Sequence, residues 1–186
     1  MTKPTRDRMI AAAVDSLRRN GLAGTSFTEV LAHSGAARGA IYHHFPSGKT
    51  ELVAEATRMH GQEVAQRLTE LSGADPLAVV RAFLDFARPV IEDSAHGSGC
   101  AIAAVTVPAG MDGNELCGIA ATTFAAWTDR LAAALTGAGM RHEGAVDLAY
   151  LLVSLLEGAQ VLCRAEGGTA PFDRAARAAL MAVATA

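Results

Sequence analysis

An all-α fold is the class that the sequence predicts, and three observations support it. Hydrophobic residues make up 51% of the 186 residues and charged residues 19%, a balance typical of globular chains and not of disordered ones. Alanine is frequent and only 5% of the residues are aromatic, which favours helices because alanine has the highest helix propensity and β-sheets are rich in aromatic and β-branched residues. Apolar side chains also recur at helical spacing, as in the set Ile10, Ala13, Val14 and Leu17.

Caps and helix breakers predict where each helix begins and ends. Gly21 ends the first helix, since glycine enters the left-handed conformation without a steric penalty. Thr25 or Ser26 caps the second helix, and Glu29 completes a capping box with Ser26. In chain order, the predicted helices span about residues 5–20, 26–34, 37–44, 49–71, 76–93, 101–107, 115–135, 143–165 and 171–184.

A helix-turn-helix is predicted between residues 25 and 45. Its first helix ends at Gly35, and its second helix ends before Pro46, whose ring and missing N–H forbid continuation. The inward apolar stripe of the second helix is predicted to consist of Ala37, Ile41 and Phe45. An ordinary corner of two helices with solvated polar side chains is the alternative interpretation.

The outward face of this second helix carries side chains suited to DNA. Arg38 can bind guanine or a phosphate, Tyr42 and His43 can donate hydrogen bonds to phosphates or contact base edges, and Gly39 leaves room for close approach. Lys49, at the start of the next helix, can bind a phosphate. The complete set of predicted DNA-binding residues is Thr25, Ser26, Thr28, Arg38, Gly39, Ala40, Tyr42, His43, His44 and Lys49.

Positive charge is concentrated at the N-terminal end of the chain. Residues 1–50 carry seven Lys and Arg side chains against three acidic ones, although the net charge of the whole chain is −3. A basic N-terminal region followed by an acidic remainder of the chain is expected where one end of a protein binds a polyanion. Chance clustering of solvated charges gives the same count, so charge alone leaves both interpretations open.

The motifs of enzymes and metal sites are missing or incomplete. Cys100, Cys117 and Cys163 contain no C-x-x-C pair, which indicates neither a disulfide framework nor a zinc site and fits a reducing cytoplasm. The six histidines lack metal-binding spacing. The triplet Gly48-Lys49-Thr50 resembles the end of a P-loop, but His43 stands where that motif requires glycine. No catalytic residue, metal or cofactor is therefore predicted.

The sequence predicts neither a secretory signal nor a membrane span. The first residues, MTKPTRDRMIAAAV, are charged and lack the apolar run of a signal peptide. The longest apolar stretch, Leu148 to Leu156, is interrupted by Ser154 and is well short of the roughly 20 residues that a membrane helix needs. We therefore expect a soluble protein of the cytoplasm.

The segment SGAARGAIYHHFPSGKTELVAEA, which begins at Ser34, closely resembles the signature of the TetR family of bacterial transcriptional regulators. Ala37 departs from it, because many members carry there a serine that caps the recognition helix. The segment GCAIAAVTVPAG, from Gly99, is similar to the ligand-domain signature of the LmrA/YxaF-like subgroup. The resemblance implies a non-enzymatic, all-helical homodimer with a three-helix DNA-binding domain over residues 4–64 and a ligand-binding and dimerisation domain over residues 65–186.

Two partner sites are predicted in the C-terminal part of the chain. The run AYLLVSLLEGAQVL, residues 149–162, is apolar around nearly its whole circumference, and with the last helix it is predicted to form a four-helix interface with a second copy. Burial within one chain is the alternative. A small lipophilic or aromatic effector is predicted to bind the apolar set Phe83, Phe86, Cys100, Met111, Phe124 and Trp127, although such spacing is also typical of plain core.

The sequence thus favours a ligand-responsive repressor that binds an approximately palindromic operator in double-stranded DNA as a homodimer. Its effector is expected to release it from that operator. The alternative is a small helical enzyme or carrier that uses the C-terminal pocket without DNA. The basic helix over about residues 38–44, which bears tyrosine and histidine, is the feature that distinguishes the two hypotheses.

Overall fold

The computed structural model describes residues 4–106 and 115–184, and these residues contain helices and no strand. The prediction of an all-α fold is confirmed. In chain order the helices are α1 (Thr5–Gly24), α2 (Phe27–Ser34), α3 (Ala40–His44), α4 (Lys49–Thr69), α5 (Pro76–Ala95), α6 (Ala101–Ala104), α7 (Glu115–Gly137), α8 (His142–Glu166) and α9 (Ala170–Ala184).

The first of two compact units comprises the described residues among 1–62 and 100–123. It contains α1, α2, α3 and α6 together with the first parts of α4 and α7. Its core is made of apolar side chains that are at most 2% exposed, among them Met9, Ile10, Leu17, Val30, Ile41, Phe45, Leu52 and Val53. Removing such side chains from water stabilises the unit by roughly 1.5–3 kcal/mol for each large one. Several short helices can therefore share one rigid core.

The second unit comprises the described residues among 63–99 and 124–186. Here α5 packs on α8 and α9, and α8 packs on α9. The Asp75 carboxylate accepts the N–H of Ala78 at 2.8 Å and so caps α5, with Pro76 at its first position, as predicted. Ser94 and Gln160 are buried between α5 and α8, where Ser94 Oγ lies 3.4 Å from the Gln160 side-chain oxygen and donates to the Val90 carbonyl at 2.8 Å.

The long helix α8 meets the length and composition of a membrane span, with a mean hydropathy of 1.6 over 18 residues. The sequence-based expectation rested on a nine-residue apolar stretch inside this 25-residue helix and so underestimated its apolar length. In the structure 44% of that window is buried against the rest of the unit. A core helix of this kind has the same composition as a membrane helix, so composition alone does not identify a span.

Most helix boundaries lie within two residues of the prediction, and the exceptions have clear physical reasons. α3 begins at Ala40, not at Ala37, because residues 38 and 39 form a turn in which the Ala40 N–H donates to the Ala37 carbonyl at 2.9 Å. Ala37 is exposed, so its predicted place in the inward stripe is wrong. The helix predicted near residues 101–107 ends at Ala104, and residue 107 lies outside the described residues.

Gly21 interrupts α1 as predicted. Its φ of 67° and ψ of −177° are not helical, and the residues up to Gly24 continue beyond this kink. In the second unit, Arg88 Nη2 of α5 lies 3.0 Å from Asp173 Oδ1 of α9, so this arginine joins two helices.

Candidate nucleic-acid interface

The turn between α2 and α3 is fixed by a cap at each end of α2. The Ser26 hydroxyl accepts the N–H of Glu29 at 3.2 Å. At the other end, Gly35 adopts φ 64° and ψ 21°, and its N–H donates to the Leu31 carbonyl. A residue with a Cβ would pay roughly 1–2 kcal/mol for this left-handed conformation, which explains glycine at this turn.

Side chains of α1 hold α2 in place. The Glu29 carboxylate accepts hydrogen bonds from Ser16 Oγ at 2.7 Å and from Asn20 Nδ2 at 2.6 Å. The predicted capping box therefore forms only by its serine half, because the glutamate of the box turns towards α1 instead. At the far end of α2, Arg8 Nε donates to the Ser34 carbonyl at 3.0 Å. Both ends of α2 are thus tied to the first helix.

The short helix α3 has one buried face and one exposed face. Ile41 is 1% exposed and Phe45 is fully buried, with the Arg6 guanidinium 5.3 Å from the Phe45 ring centre. Tyr42 points outward with 66% of its surface exposed, and the edge of its ring meets Phe27 at 6.0 Å between ring centres. Tyr42 thus contacts Phe27 while most of its own surface stays exposed.

Most of the predicted DNA-binding residues share the open face. Ser26, Thr28, Arg38, Gly39, Tyr42 and His43 are exposed, while Ala40, His44 and Lys49 are half-buried. Gly39 lies at the N-cap of α3 with φ −69°, not inside the helix. The loss of about 1 kcal/mol in stability that glycine causes inside a helix, relative to alanine, therefore does not apply to it. No side chain caps α3, which agrees with the departure noted at Ala37.

Besides Ser26, two predicted DNA-binding residues make hydrogen bonds within the first unit. Thr25 is only 2% exposed and its hydroxyl donates to the Gly21 carbonyl at 2.8 Å, so its side chain is not part of the exposed face that most of the predicted residues share. Lys49 Nζ donates to the Leu22 carbonyl at 2.9 Å and so connects the start of α4 to the end of α1. Sequence reasoning could not find this bond, because its acceptor is a backbone carbonyl exposed by the kink at Gly21.

The positive charge of the N-terminal region divides into internal and external parts. Arg6 pairs with Glu55 of α4 at 3.1 Å, and Arg8 and Lys49 are held by backbone carbonyls. Arg38 has no hydrogen-bond or ion-pair partner within the described part of the chain and is exposed. An unpaired guanidinium beside exposed Tyr, His, Ser and Thr side chains can bind phosphate oxygens and base edges.

The predicted effector-binding residues are only partly brought together. Phe83 and Trp127 are buried in the second unit, and Phe86 and Phe124 are half-buried there. The aromatic rings meet in pairs, with ring centres 6.4 Å apart for Phe83 and Phe86 and 5.3 Å apart for Phe124 and Trp127. Cys100 belongs to the first unit, where its Sγ accepts the Ala103 N–H at 3.4 Å, and Met111 lies outside the described residues.

Two grooves of the second unit were not predicted from the sequence. One, of about 790 Å³, is lined mainly by apolar side chains, including Leu77, Met140, Leu148 and Leu151. The other, of about 470 Å³, lies between α5 and α9 and is lined mainly by charged side chains. Neither groove includes any of the predicted effector-binding residues. The described residues hold no cluster of three or more His, Cys, Asp or Glu suited to a metal ion, and no disulfide joins the three cysteines.

Comparisons with known proteins give the same assignment to both parts of the chain. Residues 9–56 match the model of the bacterial regulatory proteins of the tetR family, and residues 76–178 match the LmrA/YxaF-like C-terminal domain of transcriptional regulators. An HTH-type transcriptional regulator of Mycobacterium tuberculosis is 36% identical over 173 residues, which cover 90% of this chain and 88% of the relative. The regulator YxaF of Bacillus subtilis is 24% identical over 161 residues, which cover 85% and 84% of the two chains.

Solved structures share the fold. A TetR transcriptional regulator from Legionella pneumophila superposes with a TM-score of 0.84 over 96% of each chain at 20% sequence identity. A regulator of the same family from Agrobacterium tumefaciens gives a TM-score of 0.80 at 24% identity, over 95% of this chain and 96% of that one. At these identities the likeness concerns the fold.

Proposed function

The chain belongs to the TetR family of bacterial transcriptional regulators, and from that premise we propose that it is a repressor whose α3 face binds an operator in double-stranded DNA. The observation that carries the proposal is the exposed face of α3, on which Arg38, Tyr42 and His43 lie over a buried anchor of Ile41 and Phe45. A helix of this kind can enter the major groove with its charged and hydrogen-bonding side chains towards the bases.

Different residues of this face have different proposed roles. Arg38 reads a base edge or a phosphate, while Tyr42, His43, Ser26 and Thr28 contact the DNA backbone or base edges. Gly39, Ala40 and His44 complete the surface, with Lys49 near its border. The Lys49 ammonium has three N–H donors, and the bond to Leu22 uses one of them. It can therefore hold the Leu22 carbonyl and still attract a phosphate.

A DNA-binding titration tests this proposal. The labelled probe is the DNA upstream of the protein's own gene, and binding is followed by fluorescence anisotropy at several salt concentrations. Since a bidentate arginine contact is worth about 1–3 kcal/mol, Arg38→Ala together with Tyr42→Ala should weaken binding about 5- to 150-fold. Arg130→Ala, an exposed arginine of α7, is the charge-matched control and should bind as the wild type does. Unchanged binding by the folded double variant would refute the α3 assignment.

We assign DNA binding to residues 4–64, and dimerisation and effector binding to residues 65–186. TetR-family regulators act as dimers, and an apolar face of the second unit suits the same assembly here. Tyr150, Leu151, Val161 and Leu162 of α8 and Met181 of α9 are each more than 50% exposed. Large apolar side chains gathered on two helices mark an interaction surface in a globular protein. A two-fold dimer would present two α3 helices to an approximately palindromic operator.

Sedimentation measurements test the proposed dimer. At micromolar concentration the wild type should sediment as a dimer, and Val161→Glu should shift it towards monomer, because the charge would be buried without a partner. Ala133→Glu places the same charge at an exposed position of α7 and should leave the dimer intact. A wild type that is monomeric at this concentration would refute the proposed interface.

The proposed effector is a small lipophilic or aromatic compound that releases the repressor from its operator. Support comes from the apolar and aromatic character of Phe83, Phe86, Phe124 and Trp127, which lie within one compact unit. A coupling of about 1–3 kcal/mol between the two sites would change operator affinity about 5- to 150-fold. We place this regulation in the cytoplasm, where the operator DNA is accessible. The alternative of an enzyme or carrier that acts without DNA is not favoured, because the family consists of transcriptional regulators.

A further inference from the structure

The groove between α5 and α9 is open to solvent and has the volume of a small-molecule site. Its volume is about 470 Å³, within the range of about 300–1,000 Å³ that is usual for ligand sites. Leu84 and Ala176, which are 6% and 8% exposed, form an apolar floor together with Leu180. None of these residues was assigned to the DNA face or to the effector set.

One ion pair connects the two helices that line the groove. Arg88 Nη2 contacts Asp173 Oδ1 at 3.0 Å, and the Arg88 guanidinium lies 5.3 Å from the centre of the buried Phe172 ring. The other carboxylate oxygen of Asp173 accepts a hydrogen bond from Thr169 Oγ1 at 3.2 Å. Both oxygens of Asp173 are thus engaged, and the charges of Arg88 and Asp173 neutralise each other.

The remaining charges of the groove do not balance. Arg81 and Arg177 line it from α5 and α9, and neither has a hydrogen-bond or ion-pair partner among the residues that the structure describes. Asp85 is the one further acidic side chain in the lining. Beside the neutral Arg88–Asp173 pair, two cations therefore face one anion across an apolar floor. A ligand with one negative charge would complete the balance.

We propose that this groove binds a small organic anion, in which a carboxylate or a phosphate ester is joined to an apolar group. The guanidinium groups of Arg81 and Arg177 match the planar fork of a carboxylate or the oxygens of a phosphate. The apolar group covers Leu84, Ala176 and Leu180. Such a ligand would join α5 to α9, and its site is separate from the aromatic set proposed for the effector.

Calorimetric titration of the full chain tests the proposal with defined probes. 4-Phenylbutyrate supplies the carboxylate, phenyl phosphate supplies the phosphate ester, and 4-phenylbutanamide is the neutral control. We expect at least one of the two anions to bind saturably, with one molecule per chain. If the carboxylate is the preferred group, the neutral amide should bind about tenfold more weakly than 4-phenylbutyrate. Inorganic phosphate, tested alone, shows how much of the affinity depends on the charge without the apolar group.

Substitutions in the groove test whether the anion binds there. The double substitution Arg81→Gln and Arg177→Gln should weaken binding of the preferred anion about tenfold or more, and Arg81→Lys with Arg177→Lys should recover part of it, since lysine restores the charge but not the fork. Arg174→Gln removes an exposed arginine of α9 that does not line the groove and should bind as the wild type does. The proposal is overturned if neither anion saturates by about 10 mM. It is also overturned if the glutamine double variant, folded by circular dichroism, binds with unchanged affinity. Operator binding is measured separately, so a failure here is distinguishable from a failure of the repressor proposal.

Discussion

Gly61 of α4 lies in close contact with Thr123 of α7 within the first unit. A Cβ built on Gly61 would lie 2.5 Å from Thr123 Cγ2 and 3.0 Å from Thr123 Oγ1. Carbon atoms that are not bonded prefer about 3.5–4.0 Å. Gly61→Ala therefore requires a displacement of about 1 Å, either of the Thr123 side chain or of the two helices at this level.

Two opposing terms determine the effect of Gly61→Ala on stability. Alanine in a helix interior is favoured over glycine by about 1 kcal/mol, whereas an extra methyl group in a packed site costs typically 1–3 kcal/mol. The net expectation is a loss of up to about 2 kcal/mol in the free energy of unfolding, or a few degrees in Tm for each kcal/mol.

A double-mutant cycle isolates the contact. Thr123→Ala removes both side-chain atoms that crowd position 61 and leaves only Cβ, which would be 3.4 Å away. The Thr123 hydroxyl donates only within its own helix, to the Ile119 carbonyl at 2.8 Å, so no bond between helices is lost. Gly61→Ala with Thr123→Ala should regain about 1–2 kcal/mol relative to the sum of the single changes.

The assay is urea unfolding at one fixed protein concentration, followed by circular dichroism, with operator binding measured on the same samples. Gly118→Ala is the control, because α7 is helical there and a Cβ would meet nothing within 4 Å. That variant should gain up to about 1 kcal/mol. If Gly61→Ala is as stabilising as Gly118→Ala, or if the cycle is additive, the inferred close packing of α4 and α7 is refuted.

Three further predictions concern the turn, the start of α4 and the effector. Gly35→Ala should lower the free energy of unfolding by about 1–2 kcal/mol, whereas Gly39→Ala, whose φ is −69°, should be neutral or stabilising in the same urea assay. Lys49→Ala should weaken binding to all DNA sequences, flatten the salt dependence and lower the unfolding midpoint, because the Leu22 carbonyl loses its donor. An effector should quench or shift the fluorescence of Trp127, the single tryptophan, over the concentrations that alter operator binding; constant emission would place its site elsewhere.

Local sequence signals predicted the helices because their causes are local. Ser26, Gly35, Asp75 and Pro76 act through backbone geometry within a few residues, and the structure places each of them at the helix end that the sequence indicated. α3 was predicted three residues too long, since the pattern of apolar residues does not distinguish a helical turn from the helix that follows it.

The contacts that position the candidate site were not predictable in the same way. The Glu29 carboxylate satisfies the local rule for a capping box, yet it binds Ser16 and Asn20, which are 13 and 9 residues away in sequence. Lys49 reaches a backbone carbonyl across 27 residues. A long side chain has several possible partners, and the packing of the helices decides which of them it contacts. The sequence around a single residue does not specify that packing. The α5–α9 groove is missed for the same reason.

Two kinds of force join α4 to α7 in the first unit, and they differ in strength and in salt dependence. Arg58 of α4 pairs with Glu115 of α7 at 2.8 Å and with Glu55 of its own helix at 3.6 Å, but these side chains are 31–63% exposed. Exposed pairs of this kind contribute about 0–1 kcal/mol each and are screened by salt. The contact of Gly61 with Thr123 is a packing contact, which salt does not screen. Raising the salt concentration should therefore weaken operator binding through the DNA contacts while the spacing of the two helices is kept. A larger residue at position 61 should change that spacing at any salt concentration.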